Sequence, residues 1–194
     1  MIATVHKGVR ALAFVMAVAG GIVLSGIILM VCFSIIGRTA TWFVHSGHLP
    51  WLASLVAATG IGPVRGDYEL LEFALPVALF CFLVWCQVTA GHASVDIFTD
   101  GWRPWAKRVL LAIIEAVFAV VLVLIALQLY DGMLTQQRRR TTTFLLQFPV
   151  WWSYQAAVIP AVVAAGVACW MAFVRLAEAA LNRSLIQADQ GTDH

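Results

Sequence analysis

Glu69 and Glu72 stand three residues apart on one helical face, the kind of spacing that paired carboxylates use for general acid and base work. No nucleophile or further base accompanies them, so their expected role is favourable negative charge at a helix N-terminus. Glu115 is the other notable acid, set inside the third of four long apolar segments and seven residues past Arg108. That separation is about 10 Å along a helix axis, a depth at which a carboxylate must be paired or protonated. Gln87, Arg175 and Arg10 fall at comparable depth and are its expected partners, or a cation from another chain is. This gives Glu115 a structural role. Coupling to protons or sodium is the sharper alternative, but a single acid makes a thin relay.

Other chemistries find little support. A bis-histidine haem needs imidazoles facing one another inside the helices. His6, His45, His48, His92 and His194 all avoid the middle of a span. Cys32, Cys81, Cys86 and Cys169 lie within the apolar segments without CxxC spacing, which suggests polarisable packing residues rather than a metal site or disulfide framework. HEXXH, GXSXG, Walker and nucleotide-binding glycine patterns are absent. No catalytic, cofactor-binding or metal-ligating residue is expected, and no cofactor.

The elements that must position these residues follow from composition. The 194 residues are 62% hydrophobic and 11% charged, against about 45–50% and 25% for soluble domains. A helix crosses the hydrocarbon layer with about 20 apolar residues. Segments of that kind lie near residues 12–36, 68–90, 109–130 and 151–174. Lys7 and Arg10 precede the first as they would in a signal peptide, but its apolar run is too long for one and reads as a retained anchor. Residues 1–181 form one domain, and 182–194 form a polar tail. "HLPWLASLVAATGIG", about residues 49–61, is too short to cross and reads as an interfacial helix.

Between the second and third spans lies "GHASVDIFTDGWRPWAKR". Val95, Phe98, Trp102 and Trp105 make an apolar stripe at helical spacing, and His92, Asp96, Asp100, Arg103 and Lys107 make a polar one. Such a helix, about residues 91–107, belongs in the plane of the membrane surface, released from the second span by Gly91 and bent at Pro104. The expected fold is thus an all-α membrane protein of four transmembrane helices with an in-plane amphipathic arm helix.

Lys7, Arg10, Arg103, Lys107, Arg108, Arg175 and Arg183 fall on the side of both termini; Arg38, Arg65, Arg138, Arg139 and Arg140 fall on the other. Seven against five places the termini in the cytoplasm. Arg138, Arg139 and Arg140 run against that rule, as a solvated loop or as a contact for an acidic partner or lipid phosphates. A net charge of +2 says little more about partners, and no nucleic acid is expected. Ala13, Ala17, Gly21 and Ser25 form a small-residue row on the first span, and Ala157, Ala161 and Ala165 form another on the fourth, where Pro160 is expected to kink the helix.

Gly37-Arg38 after the first span, "GDYELLEFALPVALFCFLVWCQ", "GHASVDIFTD" and "FPVWWSYQAAVIP" together resemble the small membrane subunit of tripartite ATP-independent periplasmic (TRAP) transporters, the DctQ-like family, over about residues 10–175. The resemblance implies a bacterial inner-membrane heterodimer with a large subunit that holds the substrate and sodium sites. It also implies a periplasmic binding protein that delivers a small anionic or zwitterionic solute. The small subunit would act as a scaffold, with the arm helix as a surface brace and His92 and Asp96 fixing the turn into it. The loop 39–67 is long for the family. The competing readings are a membrane anchor of a quinone-linked redox enzyme and a small homo-oligomeric channel or exporter. The histidine placement argues against the first, and the scarcity of polar residues in the spans against the second.

Overall fold

The computed structural model describes residues 2–45, 65–89 and 103–181 of the chain. Among them are four helices: α1 (Ile2–His45), α2 (Asp67–Val88), α3 (Pro104–Arg139) and α4 (Trp151–Leu181). Each carries a stretch long and apolar enough to cross a membrane. The expected spans 12–36, 109–130 and 151–174 lie inside α1, α3 and α4, which run beyond them, whereas the second, 68–90, reaches past the end of α2 at Val88. At 44 residues, α1 is about 66 Å long, twice the roughly 30 Å of hydrocarbon. Polar residues prolong the helices outside the apolar runs. Thr39 donates its hydroxyl to the Ile35 carbonyl at 2.9 Å and Thr135 donates to Asp131 at 2.9 Å, so their side chains are satisfied without leaving the helix.

The arm helix needs correction at one end. Pro104 does not bend a helix that began earlier; it opens α3, with Arg103 extended before it at φ −64° and ψ 143°. The proline ring disfavours helical backbone at the residue ahead of it, and its missing N–H costs nothing at a first helical position. Arg103 and Trp105 therefore belong to the start of the third transmembrane helix. The rest of the expected arm, including His92, Asp96, Asp100 and Trp102, lies outside the described residues, as do the segment 49–61 and the tail 182–194. α2 continues through Pro76 and α4 through Pro160, each as one helix.

The helices are arranged in the order α1, α2, α4, α3, and the α3–α4 interface is the most extensive. Ala157, Ala161, Ala165, Ala168 and Ala172 present a ladder of small side chains on α4, against which Ala119, Leu122 and Ala126 of α3 and Phe80 of α2 are packed. Small residues let backbones approach closely, so dispersion attraction accumulates where lipid offers no hydrophobic drive. Gly132 of α3 extends this contact, because a Cβ there would lie 2.9 Å from Tyr154 of α4. A second cluster joins Ala13 of α1 to Val84 and Val88 of α2 and to Ala164, Val167 and Met171 of α4.

On α1 the buried row differs from the expected one. Ala13, Gly20, Ile27 and Ser34 are buried at seven-residue intervals, whereas Ala17 and Gly21 are half-exposed and Ser25 is exposed. Four-residue steps drift about 40° per step around a helix; seven-residue steps drift only about 20°, and so keep one side chain after another on a single long neighbour. Gly20 is the point of closest approach. A Cβ there would lie 2.8 Å from the Cys81 Cβ and 3.2 Å from the Ala78 carbonyl oxygen, while a Cβ at Gly21 meets nothing within 4 Å. Gly20→Leu is expected to lower the thermal unfolding midpoint of the detergent-purified chain, by the roughly 1–3 kcal/mol typical of overpacking. Gly21→Leu should leave it unchanged; equal effects would show that the seven-residue seam is not what holds α1.

Candidate functional site

The polar side chains that the bundle buries gather at its two ends. At the end where α1 begins and α4 finishes, Gln87 of α2 is fully buried and donates its amide Nε2 to Oε2 of Glu115 on α3, itself only 5% exposed. Arg175 of α4 lies near enough to act on Glu115 electrostatically and donates Nη1 to Glu178 Oε2, one helical turn on, at 2.9 Å. Glu178 is as buried as Glu115. Arg175 and Arg10 also act on His6 of α1. Each helix thus contributes to one cluster of two carboxylates, guanidinium groups, an amide and an imidazole. Of the partners expected for Glu115, Gln87 supplies the hydrogen bond and Arg175 the cation.

At the opposite end, α2 starts with Asp67. Its Oδ2 accepts a hydrogen bond of 2.5 Å from the fully buried Ser34 of α1 and one of 3.2 Å from Arg38. The Arg38 side chain is largely exposed, and exposed ion pairs contribute little, so the buried Ser34 hydroxyl is the stronger link. Two residues further on, Glu69 reaches the connection between α3 and α4, where its two oxygens accept the backbone N–H groups of Leu145 and Leu146 at 2.7 and 2.9 Å.

That connection is a small hairpin. Thr143 N–H bonds the Phe148 carbonyl at 2.8 Å, Val150 N–H bonds Thr141 at 3.0 Å, and Thr142 pairs with Pro149 in an antiparallel bridge. Arg140 and Gln147 adopt left-handed backbone at φ 51° and 57°, turning the chain out of α3 and around the tip. Gly66 must be glycine on two counts: its φ is +79°, and a Cβ would sit 2.6 Å from Leu146 Cγ. The cavity beneath the hairpin, lined by Glu69, Phe73, Leu146 and Ser153 among others, holds about 30 Å³. That is room for about one water, far below the roughly 300 Å³ of a small-molecule site.

Glu69 and Glu72 share a face of α2 but are used differently: Glu69 holds the hairpin, and Glu72 is exposed. Arg138, Arg139 and Arg140 are all exposed at the end of α3. Trp105 is 57% exposed near the opposite end of that helix, next to the exposed Arg103. Sequence reasoning missed Ser34, Asp67 and Glu178. The spacing of Arg175 and Glu178, an i,i+3 pair just past the fourth apolar run, was the available signal. Among the described residues, no group of His, Cys, Asp and Glu side chains is placed to share a metal ion.

Four membrane-length helices, stapled by buried polar groups at both ends and packed through alanine in between, make a small multi-pass membrane protein. The family model described as "Tripartite ATP-independent periplasmic transporters, DctQ component" matches residues 27–182, and the chain belongs to this family. It is therefore a transporter component and not an enzyme. Comparison with curated proteins and with solved structures gives no match. The matched range includes Ser34, Asp67, Glu69, Gln87, Glu115, Arg175 and Glu178; His6 and Arg10 fall before it.

Removing the Glu69 carboxylate should loosen the hairpin without unfolding the bundle. In Glu69→Ala, hydrogen exchange at the Leu145 and Leu146 amides is expected to accelerate by about an order of magnitude. Unchanged protection would mean that the hairpin holds itself. Glu115→Leu leaves the buried Gln87 amide without its acceptor, a loss of about 1–3 kcal/mol, whereas Glu115→Gln retains an acceptor and should unfold within a few degrees of the parent.

Proposed function

We propose that this chain is the scaffold subunit of a TRAP-type secondary transporter. It braces a large sodium-coupled subunit in the bacterial cytoplasmic membrane, with both termini in the cytoplasm. The transported solute is small and anionic or zwitterionic and is delivered by a periplasmic binding protein. The carrying observation is that the buried polar chemistry is spent on joining helix to helix. Gln87 of α2 bonds Glu115 of α3 beside Arg175 of α4 at one end, and at the other Ser34 of α1 bonds Asp67 of α2 while Glu69 holds the α3–α4 hairpin. A subunit that carried the solute or the coupling ion itself would hold polar groups in a midplane cavity, where transporters place their sites. The large subunit is the natural owner of such a site.

A bracing role also suits α1. Only 6% of its spanning stretch is buried within the chain, against 56% for α4, which leaves a long apolar flank for lipid or for a neighbouring subunit. Affinity purification of the tagged chain from its native membrane in mild detergent should recover one much larger polytopic protein in constant ratio and no haem. Recovery of the chain alone, or with a redox enzyme, refutes the reading. Within the assembled transporter, Glu115→Gln is expected to support uptake near the parental rate. An assembled but inactive Glu115→Gln complex would transfer this acid from structure to ion coupling.

A further inference from the structure

We propose that the hairpin between α3 and α4, with the three arginines at its base, is where the soluble binding protein docks, through an acidic surface of that protein. This inference rests on the TRAP reading and on its orientation, which puts the hairpin on the periplasmic side.

Height above the membrane is the first support. The apolar run of α3 ends at Tyr130, and Arg138, Arg139 and Arg140 lie eight to ten residues beyond it. At 1.5 Å per residue, their backbone stands about 12–15 Å past the end of that run. The headgroup layer on one face of a bilayer is only about 5–8 Å deep. Gly132 faces Tyr154, which sets Trp151 and Trp152 level with the turn that follows Gly132, where an interfacial aromatic belt belongs. The arginine backbone clears that belt and faces the aqueous phase.

Charge is the second. All three arginines are exposed, and no ion pair joins any of them to a carboxylate of the described residues. Glu69, the acid that lies at the hairpin, has both oxygens occupied by its backbone amides. The positive charge is left for another molecule, and an unneutralised cluster of this kind steers acidic partners from a distance.

Shape is the third. Phe144 is 91% exposed and Leu145 59%, yet the turn that carries them is fixed by the Thr143–Phe148 and Thr141–Val150 bonds and by Glu69. An aromatic side chain held out on an ordered turn is ready to fill a hydrophobic pocket with little further loss of entropy. Beside it, arginines supply charge and directional donors, the residue types from which interface hot spots are built. The hairpin thus offers a rigid apolar anchor next to a basic patch.

The test uses the complex of small and large subunits in detergent, titrated with the binding protein of the same system across a range of ionic strength. Charge reversal in R138E/R139E/R140E is expected to retain the large subunit while weakening binding about tenfold at low salt and flattening the salt dependence. Phe144→Ser should raise the dissociation rate and leave the salt dependence alone. Parental affinity in both variants overturns the proposal. So does loss of the large subunit from either, which would make this an intersubunit contact. So would weakened binding to phosphatidylglycerol vesicles with binding-protein affinity unchanged, which would make it a lipid contact. If the unsubstituted chain retains neither the large subunit nor the binding protein, the TRAP reading itself has failed. Labelling of Gln147→Cys in intact spheroplasts by an impermeant maleimide checks the orientation separately; protection there overturns the proposal.

Discussion

Inside hydrocarbon the force that collapses soluble proteins is missing, because lipid tails are as apolar as leucine and burying one helix against another removes no surface from water. Association must come from close packing of backbones and from polar bonds that lipid cannot replace. This chain uses the two in different places. Along the middle of the bundle the α4 alanine ladder, Phe80 and the small side chains of α3 provide packing alone. The side chains that are both polar and buried among the described residues are Ser34, Gln87, Glu115 and Glu178, and all sit toward helix ends. Desolvation is less severe there than at the midplane, yet Glu115, about 10 Å inside its span, still depends on Gln87 and Arg175.

The same constraint explains the uneven arrangement of the helices. α4 is central because it buries two faces: the small side chains of Ala157, Ala161, Ala165, Ala168 and Ala172 toward α3 and Phe80, and Ala164, Val167 and Met171 toward Ala13 and α2. α1 has a single narrow seam of Ala13, Gly20, Ile27 and Ser34. A helix held by one seam can pivot about it, and packing that is nearly uniform along the seam does little to resist sliding. Pins at the ends resist both. Ser34 and Arg38 bond to Asp67 at one end, while Ala13 meets α2 and α4 near the other, close to where His6 feels the charge of Arg175.

How far these features could be seen in the sequence depended on their range. The spans were legible because hydropathy is a property of composition, and the depth of Glu115 followed from helical rise, which brought Gln87 and Arg175 into view as partners. Helix ends were not legible in the same way, since threonine, glutamine and arginine continue a helix into water without any change of conformation. Pro104 was visible as a discontinuity, but a bend and a first turn look alike until the backbone of Arg103 is known. The small-residue row on α1 is not the seam used within the chain, because alanine and glycine are frequent enough there to suggest several faces. The face in use contains Ile27 and is marked by its period, not by residue size. Glu178 lies past the apolar run, outside the hydropathy signal, and the partners of Glu69 are backbone amides 76 and 77 residues away, beyond any local pattern.

Three residues at the cap and start of α2 bind the hairpin end together. Gly66 makes room for Leu146, Asp67 holds Ser34 and Arg38 of α1, and Glu69 holds the hairpin that joins α3 to α4. Every helix is therefore tied, within about one turn, to the start of α2. The amide–carboxylate bond between Gln87 and Glu115 and the nearby Arg175 then link the far end of α2 to α3 and α4. A load applied at the hairpin passes into α2 through Glu69 and along its whole length to the second cluster, instead of tilting α3 and α4 away from the others. A bundle pinned at both ends in this way resists tilting and sliding of its helices more than four helices joined by apolar packing alone.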